Sequence, residues 1–402
     1  MSLMPVDQAL AQLLNSARSH TAQAVDNLPL EQALGHVLAT PVIAAHDVPP
    51  WDNSAMDGYA FNSADVEQAR QQGLVVSQRI TAGMAPAPLQ SGTCARIFTG
   101  APLPAGADCV EMQENVELSE SGLARLTQAV KTGQNVRPQG QDVRSASEVL
   151  PAGLRLRPQD LGVIASVGLA RVAVRRPLRV AVVSTGDELV EPGAALQPGQ
   201  IYNSNRFTLI GALQRLGQQV IDGGILPDDP ALTSSRLRAL ADQADLIISS
   251  GGVSVGEADC LGQVLREQGE VALWKLAIKP GKPFTLGRFA DTPLLGLPGN
   301  PAATLVTFLL LVRPYLLTRL GCNRVEPVSF QLPAGFDWPR AGTRDEYLRA
   351  GLQDGQVILS GNQSSGVLSS ASQGSGLVLI PAGHTVAAGA PVLFLPFSGL
   401  LD

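Results

Sequence analysis

The chain has 402 residues, more than one hydrophobic core usually holds, so we expect several domains. Hydrophobic residues (45%) and charged residues (16%) are typical of a folded globular protein, and 41 glycines and 29 prolines indicate many turns and short strands. The net charge is −6 and there is no long basic run, which argues against nucleic-acid binding. The longest apolar stretch, 302–312, is too short to cross a bilayer, so we expect no membrane association.

The cysteines point to a reducing environment. There are four, none in a C-x-x-C pair and none beside a histidine cluster, so we interpret them as free, mostly buried thiols: Cys94, Cys109, Cys260 and Cys322. The first residues also lack the charged start and apolar middle of a signal peptide. Both observations predict a cytoplasmic protein.

The beginning of the chain predicts a discontinuous helical domain that includes residues 1–45 and 146–177. Within the first 40 residues, two sets of apolar residues have helical spacing: Val6, Leu10, Leu13 and Leu14, then Leu30, Leu34, Val37 and Leu38. A third helix with Pro158 in its first turn and a strand over 170–174 are expected to rejoin them. The intervening residues 46–145 are rich in glycine, proline and short β-like runs, such as 74–80 and 94–98, and predict an inserted, mostly-β domain.

Residues 178–326 alternate between apolar strands and helices, which predicts an α/β domain built on a parallel sheet covered on both faces. Strands are expected at 178–184, 220–226, 246–250, 271–278 and 294–297. Helices are expected at 206–216, 231–244, 261–268 and 302–320. Residues 327–402 return to short strands, at 356–360, 376–380 and 391–395, and predict a small C-terminal β-barrel or sandwich.

A glycine-rich turn after the third of these strands is the most informative motif. It contains Ser249, Gly251, Gly252, Ser254 and Gly256. A strand, a turn of this type and a helix start expose backbone N–H groups where an anion is favoured. Two carboxylates in the same turn would repel a bare phosphate, so the turn predicts a phosphorylated ligand held together with a cation.

Polar loops follow all five predicted strands, at the edge where ligands bind in open α/β sheets. They are 185–188, 227–229, 249–259, 279–283 and 298–301. Three of them carry Glu188, Asp228 and Asp259, whose hard oxygen ligands suit Mg²⁺ beside a phosphate. Each of the three is equally well explained as a solvated or capping loop residue. Asp229, which precedes Pro230, is better explained as a helix N-cap.

Lysines mark the next part of this edge. Lys275 and Lys279 lie four residues apart in the predicted fourth strand, so we expect their side chains on one face, about 13 Å apart. A lysine on a central parallel strand is costly unless it is paired or functional, which favours anion binding over a structural ion pair. Lys282 is a further candidate on a flexible turn. Pro298 and Pro301 are expected to fix a rigid loop.

The inserted domain contributes a second group of polar residues. Residues 49–60 form a polar turn flanked by aromatic residues, and 99–102 form a similar but weaker motif. Each alone fits a purely structural turn.

Taken together, the motifs resemble the molybdopterin molybdenumtransferase family, in order and over nearly the whole chain. The matching segments are DNSAMDGY (52–59), TGAP (99–102), STGDEL (184–189), the 249–259 turn, KLAIKPGKP (275–283) and GLPGNP (296–301). The resemblance implies an enzyme that inserts molybdenum from molybdate into adenylylated molybdopterin and releases AMP, with Mg²⁺ required. It also implies an elongated homodimer of four-domain subunits, in which the α/β domain of one subunit and the inserted domain of the other share an active site.

The resemblance also implies roles for individual residues. The catalytic set is Asp57, Thr99, Glu188, Asp259, Lys275 and Lys279. Asp142 from the inserted domain, and Arg349 and Ser365 from the C-terminal domain, would line the same cleft. Two other functions stay open: adenylyl transfer onto molybdopterin, and a scaffold that clusters receptor proteins.

Overall fold

The structure is a computed structural model that describes residues 3–21, 24–252 and 260–401. The N-terminal part contains α1 (Val6–Arg18), β1 (Val25–Pro29) and β2 (Val42–Ile43). The first predicted helix is confirmed, but the second is wrong, because only the single 3₁₀ turn Leu30–Gln32 forms there. Gly35, at φ 77°, lies in the left-handed region and interrupts the helical path, and Leu34 stays exposed.

The inserted segment is mostly β structure, as predicted. Its elements are β3 (Asn53–Ser54), β4 (Gly58–Phe61), α2 (Val66–Gln71), β5 (Leu74–Ile80), β6 (Thr93–Ile97), β7 (Cys109–Met112), β8 (Val116–Leu118), β9 (Leu123–Leu126) and β10 (Val136–Arg137). Six of the strands form one sheet in the order β7-β4-β6-β5-β9-β8. Gly58 permits close pairing in this sheet, because a Cβ atom there would lie 1.9 Å from the Glu111 carbonyl oxygen.

The chain then returns to the N-terminal part through β11 (Glu148–Leu150), α3 (Pro158–Ser166) and β12 (Arg171–Arg175). β11 pairs with β2, and β12 pairs antiparallel with β1. Pro158 occupies the first turn of α3, as expected. These pairings join the segment before the insertion to the segment after it. The exact domain boundaries remain predictions.

The central part is an α/β unit with a six-stranded sheet. Its elements are β13 (Arg179–Thr185), β14 (Leu189–Val190), β15 (Ile201–Tyr202), α4 (Ser204–Arg215), β16 (Gln219–Leu226), α5 (Pro230–Ala241), β17 (Leu246–Ser250), α6 (Cys260–Gln268), β18 (Gly269–Lys275), β19 (Ile278–Lys279), β20 (Pro283–Phe289), β21 (Thr292–Leu297), α7 (Pro301–Thr307) and α8 (Arg313–Arg319). The sheet order is β16-β13-β17-β21-β20-β18. β16, β13, β17 and β21 are parallel, as expected, but β20 was not predicted and pairs antiparallel with both β21 and β18.

The predicted strand that carries both lysines is therefore wrong. Lys275 ends β18, an edge strand of the α/β sheet, whereas Lys279 lies in β19, which pairs with a strand of the C-terminal part. The two lysines belong to different sheets, so they do not share one strand face. The argument from a costly central-strand lysine does not apply, because an edge strand leaves room for a solvated side chain.

The segment Pro301–Arg319 runs through α7, a π-helical turn at Phe308–Val312, and α8. It is long and apolar enough to cross a membrane by length and composition alone, but 78% of its most apolar window is buried inside the protein. Phe308, Val312 and Leu316 pack in the largest hydrophobic core with β13, β17 and α1 residues. The segment is therefore a core helix of this fold.

The C-terminal part is a small barrel, as predicted. Its elements are β22 (Phe330–Pro333), β23 (Asp345–Gln353), β24 (Gln356–Leu359), α9 (Ser369–Gln373), β25 (Gly376–Ile380), β26 (Pro391–Pro396) and α10 (Phe397–Leu401). The strands pair in the order β24-β23-β25-β26-β22, and a bridge between Ala334 and Val357 joins the two ends of this order. β19 of the central part pairs with β23, so the barrel is attached to the α/β unit through backbone hydrogen bonds.

Candidate active site

The loops that follow the parallel strands begin at one edge of the α/β sheet. β13, β16, β17 and β21 are parallel, so their carboxyl ends lie together. β18 runs in the same direction as β21, because two successive antiparallel pairings separate them. Lys275, the last residue of β18, therefore lies at the carboxyl edge even though its strand was assigned wrongly.

A cleft of about 330 Å³ opens at this edge. It is lined by Thr185, Glu188, Leu189, Ile201, Tyr202, Asn203, Ser204, Asn205, Ser250, Gly299, Asn300 and Pro301. Three predicted loops therefore meet here: the one after β13, the turn after β17 and the proline-rich loop after β21. The segment 201–205 was not predicted as part of the site, although Asn-Ser-Asn at a helix start is a recognisable capping pattern.

The turn after β17 is held close to β13. Ser249 is buried and donates a hydrogen bond from Oγ to the Gly251 carbonyl oxygen at 2.8 Å. Gly251 has a φ of 83°, and a Cβ atom there would lie 2.8 Å from the Thr185 carbonyl oxygen, so glycine is required. Gly252 also has a positive φ, of 65°. The predicted residues Ser254, Gly256 and Asp259 lie outside the described residues.

Two of the three predicted metal ligands are described, and both are exposed. The Glu188 carboxylate folds back against Gly186, where a Cβ atom would lie 2.4 Å from Oε2. Asp228 follows β16, the neighbouring strand, and Asp229 caps α5 by accepting a hydrogen bond from the Leu232 N–H at 2.8 Å, as expected. Within 3–21, 24–252 and 260–401, no three His, Cys, Asp or Glu side chains form a metal-binding group. The exposed carboxylates have the chemistry that Mg²⁺ requires, and the magnesium site stays a prediction.

The lysines have different surroundings. Lys275 is half-buried at the end of β18, and Lys282 is exposed on the turn before β20. Lys279 forms an ion pair with Glu346 of β23, with 3.0 Å between Nζ and Oε2. Lys279 thus forms a structural ion pair, the alternative to anion binding, in this structure.

In the inserted part, Asp57 and Thr99 are brought together. The Asp57 carboxylate accepts hydrogen bonds from the Thr99 backbone N–H at 2.8 Å and from its Oγ1 at 2.9 Å. These bonds, helped by the charge of Arg96, hold the pKa of Asp57 below its ordinary value. Asp142 is exposed, and its backbone N–H bonds to the Val48 carbonyl. The described lining of the cleft includes no residue of 46–145, so these side chains do not reach it within one subunit.

Ser365 of the C-terminal barrel, which was expected to line the cleft, is not among the lining residues and instead contacts the loop that borders it. Its carbonyl oxygen accepts a hydrogen bond from the Ala302 N–H at 3.0 Å, and its Oγ accepts one from Asn300 Nδ2 at 3.2 Å. Ser365 therefore fixes the loop between Pro298 and Pro301, both predicted site residues. Pro298 in turn accepts a hydrogen bond from Thr304 in α7 at 2.6 Å.

Arg349 does not line the cleft, contrary to expectation. Its side chain is 0% exposed, and its guanidinium donates to Ser370 Oγ at 3.0 Å and to the carbonyl oxygens of Ser364 and Asn362 at 3.0 and 3.2 Å. Burial lowers the pKa of this guanidinium. Arg349 thus lies behind the loop that carries Ser365 and shapes it, so any effect on a ligand is indirect.

A six-stranded α/β sheet with a polar cleft at its carboxyl edge, an inserted β part and a C-terminal barrel defines a multidomain α/β protein built to bind a small ligand. Family models match almost the entire chain: "MoeA N-terminal region (domain I and II)" over residues 4–168, "Probable molybdopterin binding domain" over 181–318, and "MoeA C-terminal region (domain IV)" over 331–397.

Two curated relatives are named molybdopterin molybdenumtransferase. The protein from Haemophilus influenzae is 40% identical over 99% of this chain and 100% of its own length, and the one from a Nostoc species is 38% identical over 93% and 89%. A crystal structure of a molybdopterin biosynthesis MoeA protein from Pyrococcus horikoshii covers 98% of this chain and 100% of its own, with a TM-score of 0.85 and 28% identity. The chain belongs to the molybdopterin molybdenumtransferase (MoeA) family, and the predicted multidomain α/β fold class is confirmed.

Proposed function

We propose that this protein is a transferase of molybdenum cofactor biosynthesis. In this proposal it inserts molybdenum from molybdate into adenylylated molybdopterin, releases AMP and acts in the cytoplasm. The observation that carries the proposal is the cleft at the carboxyl edge of the sheet, where three predicted loops meet in a chain of this family and Ser365 bonds to one of them. The free cysteines, two of them buried, agree with a reducing compartment.

The chemistry of the reaction explains why this edge carries lysines and glycine-rich turns. Molybdate is a dianion, and the adenylylated pterin contains phosphates, so the two reactants repel each other. Lys275 and Lys282 lie at or near this edge and offset part of that repulsion. When the bond to AMP breaks, the leaving phosphate gains charge, which backbone N–H groups and cationic side chains stabilise.

Glu188 and Asp228 are the described side chains that would hold Mg²⁺, and the ion would neutralise phosphate charge when bound. Their carboxylates follow the neighbouring strands β13 and β16 and are exposed. Without a cation, these negative charges would oppose binding of a phosphorylated ligand. Asp228→Asn is expected to raise the Mg²⁺ concentration needed for half-maximal activity.

We further propose a homodimer in which the partner subunit supplies the Asp57–Thr99 pair. This pair lies away from the cleft of its own chain but is exposed, and Trp51 and Met56 expose apolar surface in the same turn. An interface at this turn would bury that apolar surface. Mixing inactive Asp57→Ala and Lys275→Ala proteins is expected to restore activity, because some mixed dimers contain one intact shared site. No recovery after subunit exchange would contradict the shared site.

The central test is incubation with adenylylated molybdopterin, Mg²⁺ and molybdate, with AMP measured over time. AMP release that depends on molybdate is expected, and Lys275→Ala should abolish it while the fold persists. Lys131→Ala is the matched control, because Lys131 is an exposed lysine of the inserted part. Absence of molybdate-dependent AMP release under all conditions would refute the proposal. ATP consumption with unmodified molybdopterin would indicate an adenylyltransferase instead.

A further inference from the structure

Residues 201–205, which run from β15 through Asn203 into the first turn of α4, contribute five consecutive residues to the cleft. The first two side chains are apolar or aromatic and largely accessible: Ile201 is 55% exposed and Tyr202 is 44% exposed. The next residues, Asn203 and Asn205, are nearly buried. The segment thus places an accessible apolar surface directly beside buried polar groups, which suits a ligand with a planar ring and polar substituents.

The N-terminus of α4 supplies hydrogen-bond donors to this part of the cleft. Asn203 caps the helix, and its Oδ1 accepts hydrogen bonds from the Arg206 N–H at 3.4 Å and from Ser184 Oγ at 3.2 Å. The N–H groups of Ser204 and Asn205, in the first turn, have no acceptor within the helix. Asn203 Nδ2 is buried and has no hydrogen-bond partner among the described residues. Free N–H donors at the N-terminus of a 12-residue helix favour binding of an anion.

Asn205 presents an unpaired acceptor. Its Nδ2 donates a hydrogen bond to the Gly299 carbonyl oxygen at 2.7 Å, which fixes the amide orientation because a carbonyl only accepts. Its Oδ1 is buried and, in the part of the chain that is described, has no donor. The residue is 8% exposed, so bulk water does not hydrate that oxygen, and the cleft is the space from which a donor would come.

The chemistry of the missing partner can be narrowed. Oδ1 needs an N–H or O–H group, and the phosphate of AMP offers none when ionised. A nucleoside offers both, through its sugar hydroxyls and its base. The nucleoside and the pterin of the proposed substrate both carry such donors, and binding of free adenosine distinguishes between them.

We propose that Asn205 is a positioning residue for the adenylyl part of the substrate, an inference that rests on the proposed function. Its Oδ1 accepts a hydrogen bond from the nucleoside, and its Nδ2 holds the loop at Gly299 against the same ligand. Asn203 Nδ2 and the first-turn N–H groups of α4 hold the phosphate. The Asn205 amide thereby links nucleotide binding to the loop that Ser365 also fixes.

The test measures binding of AMP and of adenosine by calorimetry to the full-length protein, because both probes are available without the pterin. Asn205→Ala is expected to weaken both ligands by about tenfold, since one buried hydrogen bond is lost and a tenfold change corresponds to about 1.4 kcal/mol. The isosteric Asn205→Asp is expected to lower the affinity for AMP more than for adenosine, because its carboxylate repels the phosphate. Asn203→Ala is expected to affect AMP more than adenosine.

The matched control is Asn62→Ala. Asn62 also caps a helical turn and donates to a loop glycine carbonyl, Gly106, at 2.8 Å, but it lies in the inserted part. The Asn62→Ala protein is expected to bind AMP with the same affinity as the wild type. Wild-type protein that fails to bind AMP, or an Asn205→Ala protein that binds AMP within twofold of wild type, would overturn the inference.

These outcomes are separate from those of the proposed function. AMP binding that needs Asn205, together with no molybdate-dependent AMP release, would keep the inference and refute the function. Molybdate-dependent AMP release with no effect of Asn205→Ala or Asn205→Asp on AMP and adenosine would do the reverse. If Asn205→Ala proved unstable, the isosteric Asn205→Asp protein and its AMP-to-adenosine affinity ratio would still decide the question.

Discussion

The ion pair between Lys279 and Glu346 gives a direct test of how the barrel is joined to the α/β unit. Lys279 lies in β19 and Glu346 in β23, and the two strands pair at these residues. The Glu346 side chain is 7% exposed, whereas that of Lys279 is 51% exposed. A fully buried pair loses about 3–5 kcal/mol when one partner is removed, and an exposed pair contributes about 0.2–1 kcal/mol. The pair between half-exposed Lys279 and buried Glu346 lies between these two limits, so we expect a coupling free energy of about 1–2 kcal/mol between the two side chains.

The measurement is a double-mutant cycle with Lys279→Met, Glu346→Gln and the double variant. Hydrogen exchange of the β23 amides reports local stability, which avoids treating a multidomain protein as two-state. Each single change should destabilise β23, and the double variant should lose less than the sum, because no unpaired carboxylate remains. Strict additivity would refute a structural ion pair. AMP release by the same proteins would then show whether Lys279 acts on a ligand instead.

Three further predictions concern other parts of the molecule. Thr99→Val removes the Oγ1 hydrogen bond and is expected to raise the pKa of Asp57, which carbon NMR measures. Because the folded-state pKa is depressed, the stabilisation from this bond is fully present above the unfolded-state pKa and is lost as pH falls through the folded-state pKa. Gly251→Ala should lower the free energy of unfolding by about 1–3 kcal/mol and weaken AMP binding, because Gly251 has a positive φ and a carbonyl oxygen lies 2.8 Å from the new Cβ. The control Gly83→Ala also has a positive φ, of 86°, but no neighbour lies within 4 Å of its new Cβ, so AMP binding should not change. Burial raises the pKa of Cys94 to about 12, so iodoacetamide at pH 8 should not alkylate it in the folded protein, and mass spectrometry that detects rapid modification would contradict this.

The regular periodicity of the central part was sufficient to predict four parallel strands and the edge at which their loops meet. It was insufficient for β20, because the hairpin between β20 and β21 turns at Ala290 and Asp291. Both residues have positive φ, 46° and 65°, in a turn type whose usual sequence signal is Asn-Gly or Asp-Gly. Without that signal the sequence does not predict β20. β18 is therefore expected at a central position beside parallel strands, whereas it lies at the sheet edge and pairs antiparallel with β20.

The false helix near residue 34 has a related cause. The apolar residues have helical spacing: Leu30, Leu34, Val37 and Leu38. Val37 and Leu38 are indeed buried, but they lie in irregular backbone after Gly35 and not on the face of a helix. Apolar spacing alone does not distinguish these two ways of burying a side chain. The segment 201–205 carries no charge or glycine, so nothing in its composition distinguishes a ligand-binding segment from an ordinary helix cap.

The position of the cleft depends on the barrel as well as on the sheet. β19 pairs with β23 on one side, and on the other Ser365 bonds to Asn300 and to the first turn of α7. Arg349 lies between these attachments, on β23, and holds the loop that carries Ser365 through the Ser364 carbonyl. A change in how the barrel sits on the sheet would therefore move the Pro298–Pro301 loop, to which Asn205 is also bonded. A completely buried arginine with no surface in the cleft is therefore expected to affect the shape of the site through the loop that it holds. The α/β unit thus supplies the described side chains that line the cleft, and the barrel holds the loop that borders it.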